Sequence, residues 1–401
     1  VSNVQVVLPK NINLKKMNFN FNITKDNFNF ENILFKFNEI NFNSDFLDIK
    51  EKNDKFFVKG NLKNKKNKIN DSIVFLIFND YLKTFDYSES KFNSTSEFTF
   101  DLSKKYKIEN LKIDSKLNLD ELFLKHDFYK IQNYIKDHEN LIILKENKFN
   151  IKYSNEKFLI DGSSELYIDK NNKNLIQFQI ENRKDRVKFE TILNLTNLDL
   201  EIQDIAFRKL KEEEAILKIK GFINNKKLFF KNINYEEKNN KIEINNLEIK
   251  NNKILNIDKI KLDYLTINNF KNQISLIKKG NNYELLGESF DSIQIIENIS
   301  NSEGDRNFFE NFKNLNSKIK ILVKEIKLDD NNSVNNLNGN LEIKNNKIFD
   351  LNLNSNFNNS EKLFVSIKTQ KDSSVVTTFY SDRAKPFVKK YKFIKGFEGG
   401  N

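Results

Sequence analysis

The residues that could do acid-base or metal chemistry are few and far apart in this sequence. His126 and His138 are the two histidines, and there is no cysteine. Both fall in or just after a segment with helical spacing, where their separation places them about three turns apart. Because the ligands of one metal ion must converge on a point, this pair does not indicate a metal site. The lack of cysteine also excludes disulfides and thiolate-bound metal, and fits the periplasm and the cytosol equally.

The motifs that mark nucleotide-binding and hydrolytic enzymes are missing. The sequence has no Gly-rich phosphate loop and no Gly-x-Ser-x-Gly nucleophile turn. Its many carboxylates leave open a glycosidase-type pair, but nearly all adjoin Lys or Asn in alternating stretches that are typical of solvated strand faces. The densest acidic run, Glu212 to Glu214, follows Arg208, Lys209 and Lys211, which predicts a charged turn. We expect no enzyme, no cofactor and no metal site.

The formal net charge of +11 would suit an anionic partner such as nucleic acid or a membrane surface. Recognition of guanine or phosphate by paired hydrogen bonds favours arginine. The arginines are limited to Arg183, Arg186, Arg208, Arg306 and Arg383, whereas lysines are spread evenly among acidic residues. We therefore expect no nucleic-acid partner, and a general binder of anionic surfaces is the weaker alternative.

The elements that fill the chain are predicted by strict alternation of apolar and polar residues. Phe19, Phe21 and Ile23 alternate with asparagines, and Ile242, Ile244 and Leu341, Ile343 repeat the rhythm. A period of two is typical of strands with one apolar face and one wet face, which are usually antiparallel. With Gly at 10 and Pro at 2, the turns must be built by Asn, as in Lys250 to Lys253 and Lys344 to Lys347. The fold class is mainly β: a long antiparallel meander curved into an elongated groove.

About three short helices are predicted within this meander. They are Asp120 to Ile135, Ser292 to Ile299 with Asp291 or Ser292 as cap, and Ser381 to Phe393. The octamer Leu-Glu-Ile-Lys-Asn-Asn-Lys-Ile occurs at both Leu247 to Ile254 and Leu341 to Ile348. It indicates either a repeated strand-turn-strand unit or a coincidence in a biased sequence.

An apolar sheet face of this extent must be covered by a second sheet, by helices or by a ligand. In a closed β-sandwich the faces would cover each other, and in a groove they would hold lipid chains. The residues predicted to line such a groove are Phe19, Phe21, Ile23, Ile242, Ile244, Leu247, Ile249, Leu341 and Ile343. Which face they take is open at this point, because a one-residue slip in register inverts a strand.

Two stretches resemble motifs of the AsmA-like (YhdP-type) family of bacterial repeating β-groove proteins. Residues 380–400 are similar to its C-terminal signature, a Ser-Asp-x-Ala helix that leads to a Gly-Gly turn. Gly287 to Asp291, which read Gly-Glu-Ser-Phe-Asp, are similar to its Gly-Asp/Glu-Ser-Phe-Asp element before a short helix. The matched region is residues 287–401, and the matching positions are Gly287, Phe290, Asp291, Ser381, Asp382, Ala384, Phe387, Gly396, Gly399 and Gly400.

The resemblance implies a periplasmic lipid-transfer conduit that carries phospholipid or other acyl-chain lipid between the inner and outer membranes and supports outer-membrane biogenesis. Residues 1–401 would then be a single continuous β-groove segment of a larger protein. No run approaches the roughly 20 apolar residues that span a bilayer. We expect an inner-membrane anchor to lie upstream of Val1. The alternative is a structural β-sandwich or adhesin-like surface protein without a ligand.

Overall fold

The computed structural model describes residues 4–8, 12–37, 39–69, 85–124, 134–135, 142–154, 157–168, 172–183, 186–301, 309, 311–358, 360–383 and 387. Almost all of these residues lie in strands or in the turns between them, so the mainly β prediction is confirmed. The chain divides into two compact units. Unit 1 contains Val1–Gln132 and Asp137–Asn194, and unit 2 contains Asn133–Lys136 and Leu195–Asn401.

Unit 1 is an antiparallel meander in which each long strand pairs with its neighbour in the chain. The described strands are β1 Val4–Leu8, β2 Ile12–Thr24, β3 Asn27–Phe37, β4 Ile40–Lys52, β5 Lys55–Lys68, β6 Phe85–Asp86, β7 Lys91–Ser103, β8 Ile108–Leu124, β9 Ile143–Ser154, β10 Lys157–Tyr167, β11 Lys173–Arg183 and β12 Arg186–Asn194. The short strand β6 pairs with the end of β8, so β5 and β7 are direct neighbours. This arrangement is the predicted meander.

Unit 2 has the same antiparallel pattern with two exceptions. Its strands are β13 Leu200–Ile202, β14 Phe207–Lys209, β15 Ala215–Asn224, β16 Lys227–Glu237, β17 Asn240–Lys250, β18 Lys253–Asn256, β19 Lys259–Leu265, β20 Lys271–Lys279, β21 Asn282–Asp291, β22 Ser317–Lys327, β23 Ser333–Lys344, β24 Lys347–Asn356, β25 Lys362–Thr369 and β26 Val375–Ser381. β21 and β22 pair in parallel, and β13 and β14 form a separate two-stranded sheet. The helix α1, Ile293–Asn301, lies in the connection between β21 and β22, because parallel neighbours need a crossover.

Asparagine does build the turns, as predicted. Both central residues have positive φ in the two-residue turns Asn53-Asp54, Asn225-Lys226, Asn251-Asn252 and Asn345-Asn346. This is the type I′ geometry, whose twist matches that of the flanking strands. Asn and Asp tolerate the left-handed region better than other residues that carry a Cβ. The chain therefore makes tight hairpins without a high glycine content.

The repeated octamer forms the same hairpin twice. In the first copy Ile249 faces Ile254, and in the second Ile343 faces Ile348. A shift in register follows at the same place in both, between Glu248 and Ile249 and between Glu342 and Ile343. Both copies of the octamer therefore form the same strand-turn-strand unit within unit 2.

The three predicted helices have different outcomes. Ser292 to Ile299 is confirmed as α1, and the Asp291 Oδ1 atom accepts a hydrogen bond from the Ile293 amide at 3.1 Å, as a cap should. The helix prediction is wrong for Asp120 to Leu124, which belong to β8, and residues 125–133 lie outside the described part. Ser381 ends β26, and most of the third predicted helix lies outside the described residues.

Gly339 is a position where the sheet leaves no room for a side chain. An ideal Cβ there would lie 1.9 Å from the backbone oxygen of Asn352 on the paired strand. We expect Gly339→Ala to lower the free energy of unfolding by about 2 kcal/mol, since backbone atoms must move to admit the methyl group. Urea unfolding would measure the change. Gly280→Asn is the control: Gly280 has φ +64 and open space, so its change should stay within about 0.5 kcal/mol.

Candidate functional site

The register of unit 1 places a long row of apolar side chains on one face of the sheet. One row of directly opposed residues crosses from β2 to β10 and consists of Phe21, Phe30, Leu47, Gly60, Phe98, Ile113, Tyr153 and Phe158. Opposed residues of neighbouring strands point to the same side. The row therefore lies on a single continuous surface, which we call apolar face 1.

Glycines beneath aromatic rings shape this surface. A Cβ on Gly60 would lie 2.8 Å from the Phe98 Cζ atom, and one on Gly162 would lie 2.3 Å from the Phe178 Cζ atom. Each ring therefore occupies the space above a glycine of the neighbouring strand, where it rests against the sheet backbone. The result is an apolar surface of low relief.

One end of apolar face 1 is closed and the other is open to solvent. At the closed end a buried cluster includes Ile40, Phe92, Leu119 and Leu122. At the open end Phe21 and Ile23 keep 53% and 55% of their surface exposed, although their strand pairing puts them on the apolar side. This is where three of the predicted lining residues lie: Phe19, Phe21 and Ile23, with the Phe19 and Phe30 rings 5.4 Å apart.

Unit 1 also contains hydrogen-bonded polar side chains around Asn61 and Asn64, which we call the Asn61 track. The sequence analysis did not predict them. The Asn61 Oδ1 atom accepts hydrogen bonds from the Asp45 amide at 2.8 Å and the Ser44 hydroxyl at 3.1 Å. Asn64 donates to the Phe92 carbonyl at 3.2 Å. Because these groups satisfy one another, they are poor anchors for a ligand. Their only sequence signal is asparagine within an alternating strand.

Unit 2 has a comparable apolar face, which we call apolar face 2. One of its rows crosses from β15 to β26 through Ile219, Ile233, Ile244, Ile260, Leu276, Leu285, Ile321, Gly339, Leu353, Val365 and Phe379. The other predicted lining residues lie in this or adjacent rows of the same face: Ile242, Ile244, Leu247, Ile249, Leu341 and Ile343. Asn246 has φ +52, and this local bulge keeps Leu247 on the side of Ile244.

Apolar face 2 is covered by protein over part of its area. Ile295 and Ile296 of α1, together with Phe387, pack against a cluster that contains Ile321 and Val323. Leu341 packs against the same cluster, and Ile343 is buried. These two predicted lining residues therefore contact protein atoms, and the more open apolar surface is at the exposed end of apolar face 1.

A buried lysine holds together the segment from Leu195 to Glu214, which opens the main part of unit 2. Lys209 is 0% exposed. Its ammonium donates to the carbonyl oxygens of Leu195, Thr196 and Leu198 at 2.6, 2.7 and 2.8 Å. Burial lowers the pKa of Lys209 from its ordinary value. Nothing in the local sequence distinguishes this lysine from its solvated neighbours.

Aromatic contacts attach the same segment to the sheet of unit 2. The Phe207 ring meets the rings of Tyr235 and Tyr264 edge-on, at centroid distances of 5.5 and 5.3 Å. The Tyr264 hydroxyl donates to the Ile205 carbonyl at 2.6 Å and accepts from Asn272 at 2.7 Å. Glu212 to Glu214 lie in the turn before β15, as predicted.

The motif residues have local structural roles where the structure describes them. Phe290 is buried among the apolar residues of unit 2, and Asp291 caps α1. Asp382 exchanges backbone and side-chain hydrogen bonds with Lys362 at 3.0 and 2.7 Å. Gly287 and Ser381 lie in β21 and β26. The remaining motif positions lie outside the described residues: Ala384, Gly396, Gly399 and Gly400.

Carboxylates gather in one charged cavity of about 400 Å³ in unit 1, where lysines neutralise them. Lys66 pairs with Asp120 at 2.8 Å and Lys145 with Glu121 at 2.9 Å. The hydrogen bond from Lys173 lowers the pKa of Glu165. A glycosidase acid needs the opposite shift, a raised pKa. The arrangement is that of an ion-pair network.

The described residues contain neither a cluster of metal ligands nor a helix that could span a membrane. Within the described part of the chain, no group of three or more His, Cys, Asp or Glu side chains is placed to hold a metal ion. His126 and His138 lie outside that part. Among the helices that the structure describes, none has the length and apolar character needed to cross a bilayer.

Comparison with known proteins adds no family to this description. Neither a protein-family model nor a curated protein matches the sequence. The AsmA-like resemblance of residues 287–401 therefore remains a prediction.

Proposed function

We propose that this chain binds acyl-chain lipids, phospholipids above all, on apolar face 1. The observation that carries the proposal is the open end of that face, where Phe21 and Ile23 are more than half exposed on the apolar side of a strand. Soluble proteins rarely leave a contiguous apolar surface uncovered unless something binds there. A flexible hydrocarbon chain suits a long surface of low relief.

The physics of such binding favours transport over tight capture. Each Å² of apolar surface removed from water contributes roughly 25 cal/mol, and this attraction has no preferred direction. The polar side chains of the Asn61 track already bond to protein groups. A lipid would thus be held by its chains without hydrogen bonds that fix its position, and it could slide along the face.

The wider biological role is inferred from the motif resemblance. In that role the protein is a periplasmic conduit, tethered to the inner membrane, that carries phospholipids toward the outer membrane for its biogenesis. It would use no cofactor, perform no catalysis and bind no nucleic acid. The alternative, a structural or adhesin-like β-sandwich, pairs two sheets face to face, whereas the described strands of unit 1 belong to one sheet.

Native mass spectrometry of the chain purified from a Gram-negative host tests the proposal. We expect several phospholipids to remain bound per chain and to be identified after solvent extraction. A lipid-free, compact monomer would contradict lipid binding and would favour the structural alternative.

A further inference from the structure

The turn between β7 and β8 presents an exposed aromatic residue surrounded by lysines. Tyr106 is 84% exposed and Ile108 is 58% exposed, and Lys104, Lys105 and Lys107 flank them, all exposed. The turn is held in shape by hydrogen bonds from the Tyr106 amide to the Ser103 carbonyl at 2.8 Å and from the Ser103 amide to the Lys107 carbonyl at 3.0 Å. Tyr106 is therefore held outward by a defined turn.

This turn is continuous with apolar face 1. Ile108 faces Leu102 across β7 and β8, and Leu102 faces Phe56 on β5. Phe56 lies on the same side of its strand as Val58 and Gly60, which belong to the apolar side. The exposed tip and the apolar face thus form one unbroken surface that ends in lysines.

From these features we infer that the β7–β8 turn docks onto the surface of an anionic lipid bilayer. Tyrosine has an apolar ring and a polar tip, and it is favoured where hydrocarbon meets water. Lysines near an anionic membrane are attracted to its surface potential, while their alkyl stems cover apolar surface. Lys104 pairs with Asp54, and neither Lys105 nor Lys107 has an acidic partner among the described residues. Lys105 and Lys107 are attracted to the anionic head groups, and Tyr106 and Ile108 insert among the lipids at the bilayer surface.

The inference rests on the proposed function, because a docked tip would let a lipid chain pass from the bilayer onto Leu102 and Phe56 without crossing water. It deepens that function by naming the membrane and the residues that meet it. A nucleic acid would also attract Lys105 and Lys107. It would gain nothing comparable from Ile108, and for this reason we favour the bilayer.

Vesicle flotation tests the docking. The chain is mixed with phosphatidylcholine vesicles that contain or lack phosphatidylglycerol, and the bound fraction is measured. We expect the unaltered chain to bind the anionic vesicles. The double variant Lys105→Gln with Lys107→Gln should lose about 25-fold in affinity, at about 5-fold per lysine. Tyr106→Ser should lose about tenfold. The matched control, Lys226→Gln with Lys347→Gln, removes two exposed lysines of unit 2, one in a turn and one at the start of β24, and should bind as well as the unaltered chain.

Three results would overturn the docking. The chain could bind both vesicle types equally, or the control variant could lose as much vesicle affinity as the Lys105 and Lys107 variant. In the third result, the Lys105 and Lys107 variant binds single-stranded RNA more weakly than the unaltered chain but binds vesicles equally well. Lipid content separates this inference from the proposed function. A tip variant that loses flotation should still take up phospholipid that is supplied in detergent, whereas a Phe21→Asp variant should lose lipid and still float. If the unaltered chain carries no lipid, the proposed function is contradicted and the docking is not.

Discussion

Replacing Phe21 and Phe30 together by Asp is expected to remove nearly all bound lipid, with a fall in affinity of about 100-fold. Each phenylalanine contributes roughly tenfold through the apolar area that a bound chain covers. The carboxylates add a cost, because hydrocarbon would have to strip them of water. Phe21 and Phe30 are direct partners on β2 and β3, so both changes fall at one spot. The ratio of lipid to protein in native mass spectra measures the effect.

The control for this experiment lies one residue away on the same strands. Asn22 and Asn29 are also direct partners, and they point to the opposite face of the sheet. Asn22→Asp with Asn29→Asp adds the same two charges in the same geometry. We expect it to retain its lipid. An equal loss in both variants would mean that charge or instability, and not apolar face 1, determines lipid content.

Replacing Lys209 by Met should be the most damaging single change to stability, lowering the free energy of unfolding of unit 2 by about 3 kcal/mol. Methionine fills a similar volume but removes all three hydrogen bonds that the Lys209 ammonium donates, each worth about 1 kcal/mol or more. The carbonyls of Leu195 and Thr196 keep the amides of Leu198 and Glu212 as donors. Thermal unfolding and amide exchange in Leu195 to Glu214 would measure the loss. Lys211→Met, at an exposed position of the same segment, should change stability by less than about 0.5 kcal/mol. If the Lys209→Met and Lys211→Met variants are equally stable, the Lys209 hydrogen bonds contribute little to stability.

Much of the fold could be predicted from sequence because one periodic signal determines it. Alternation identified Phe19, Phe21 and Ile23 as strand residues with one apolar side, and their pairing with β3 confirms it. The Lys-Asn-Asn-Lys pattern identified tight turns, and Asn251-Asn252 and Asn345-Asn346 have the required positive φ. The α1 prediction succeeded because its cap, Asp291, and its apolar spacing agree.

The prediction failed where a bulge imitates a helix. The predicted helix began after Leu119 and took Leu122 and Phe123 as the start of an apolar stripe with helical spacing. In the structure these two residues continue β8 and pair with Leu144 and Ile143 of β9, and both Leu119 and Leu122 are buried. This break in alternation coincides with an irregularity at Glu146 and Asn147 of β9, where Glu146 has φ +48 and two residues oppose one on β10. A bulge in one strand shifts the phase of alternation in the next. The sequence of β8 alone does not reveal a bulge in β9, the strand that pairs with it.

The apolar character of the two faces was predictable from the sequence, but the extent of open surface on each was not. All nine proposed lining residues lie on apolar faces, since strand period alone groups them. How much of each face remains open depends on distant segments: α1 and Phe387 cover part of apolar face 2. Lys209 and the Asn61 track were missed for a similar reason, because burial of a polar residue is decided by tertiary contacts. The division of the chain near Asn194 is not marked by any Pro-rich or Ser-rich stretch.

Pairing between strands adjacent in the chain has a consequence for how this protein forms. Within each unit most strands pair with a strand that is next or nearly next in the chain, which keeps the contact order moderate for a β protein. Each hairpin can close as soon as its second strand emerges, so the order of synthesis or export can also be the order of folding. The pairing of β21 with β22 must instead wait until residues 292–316 are present. That junction is where we expect folding of unit 2 to pause.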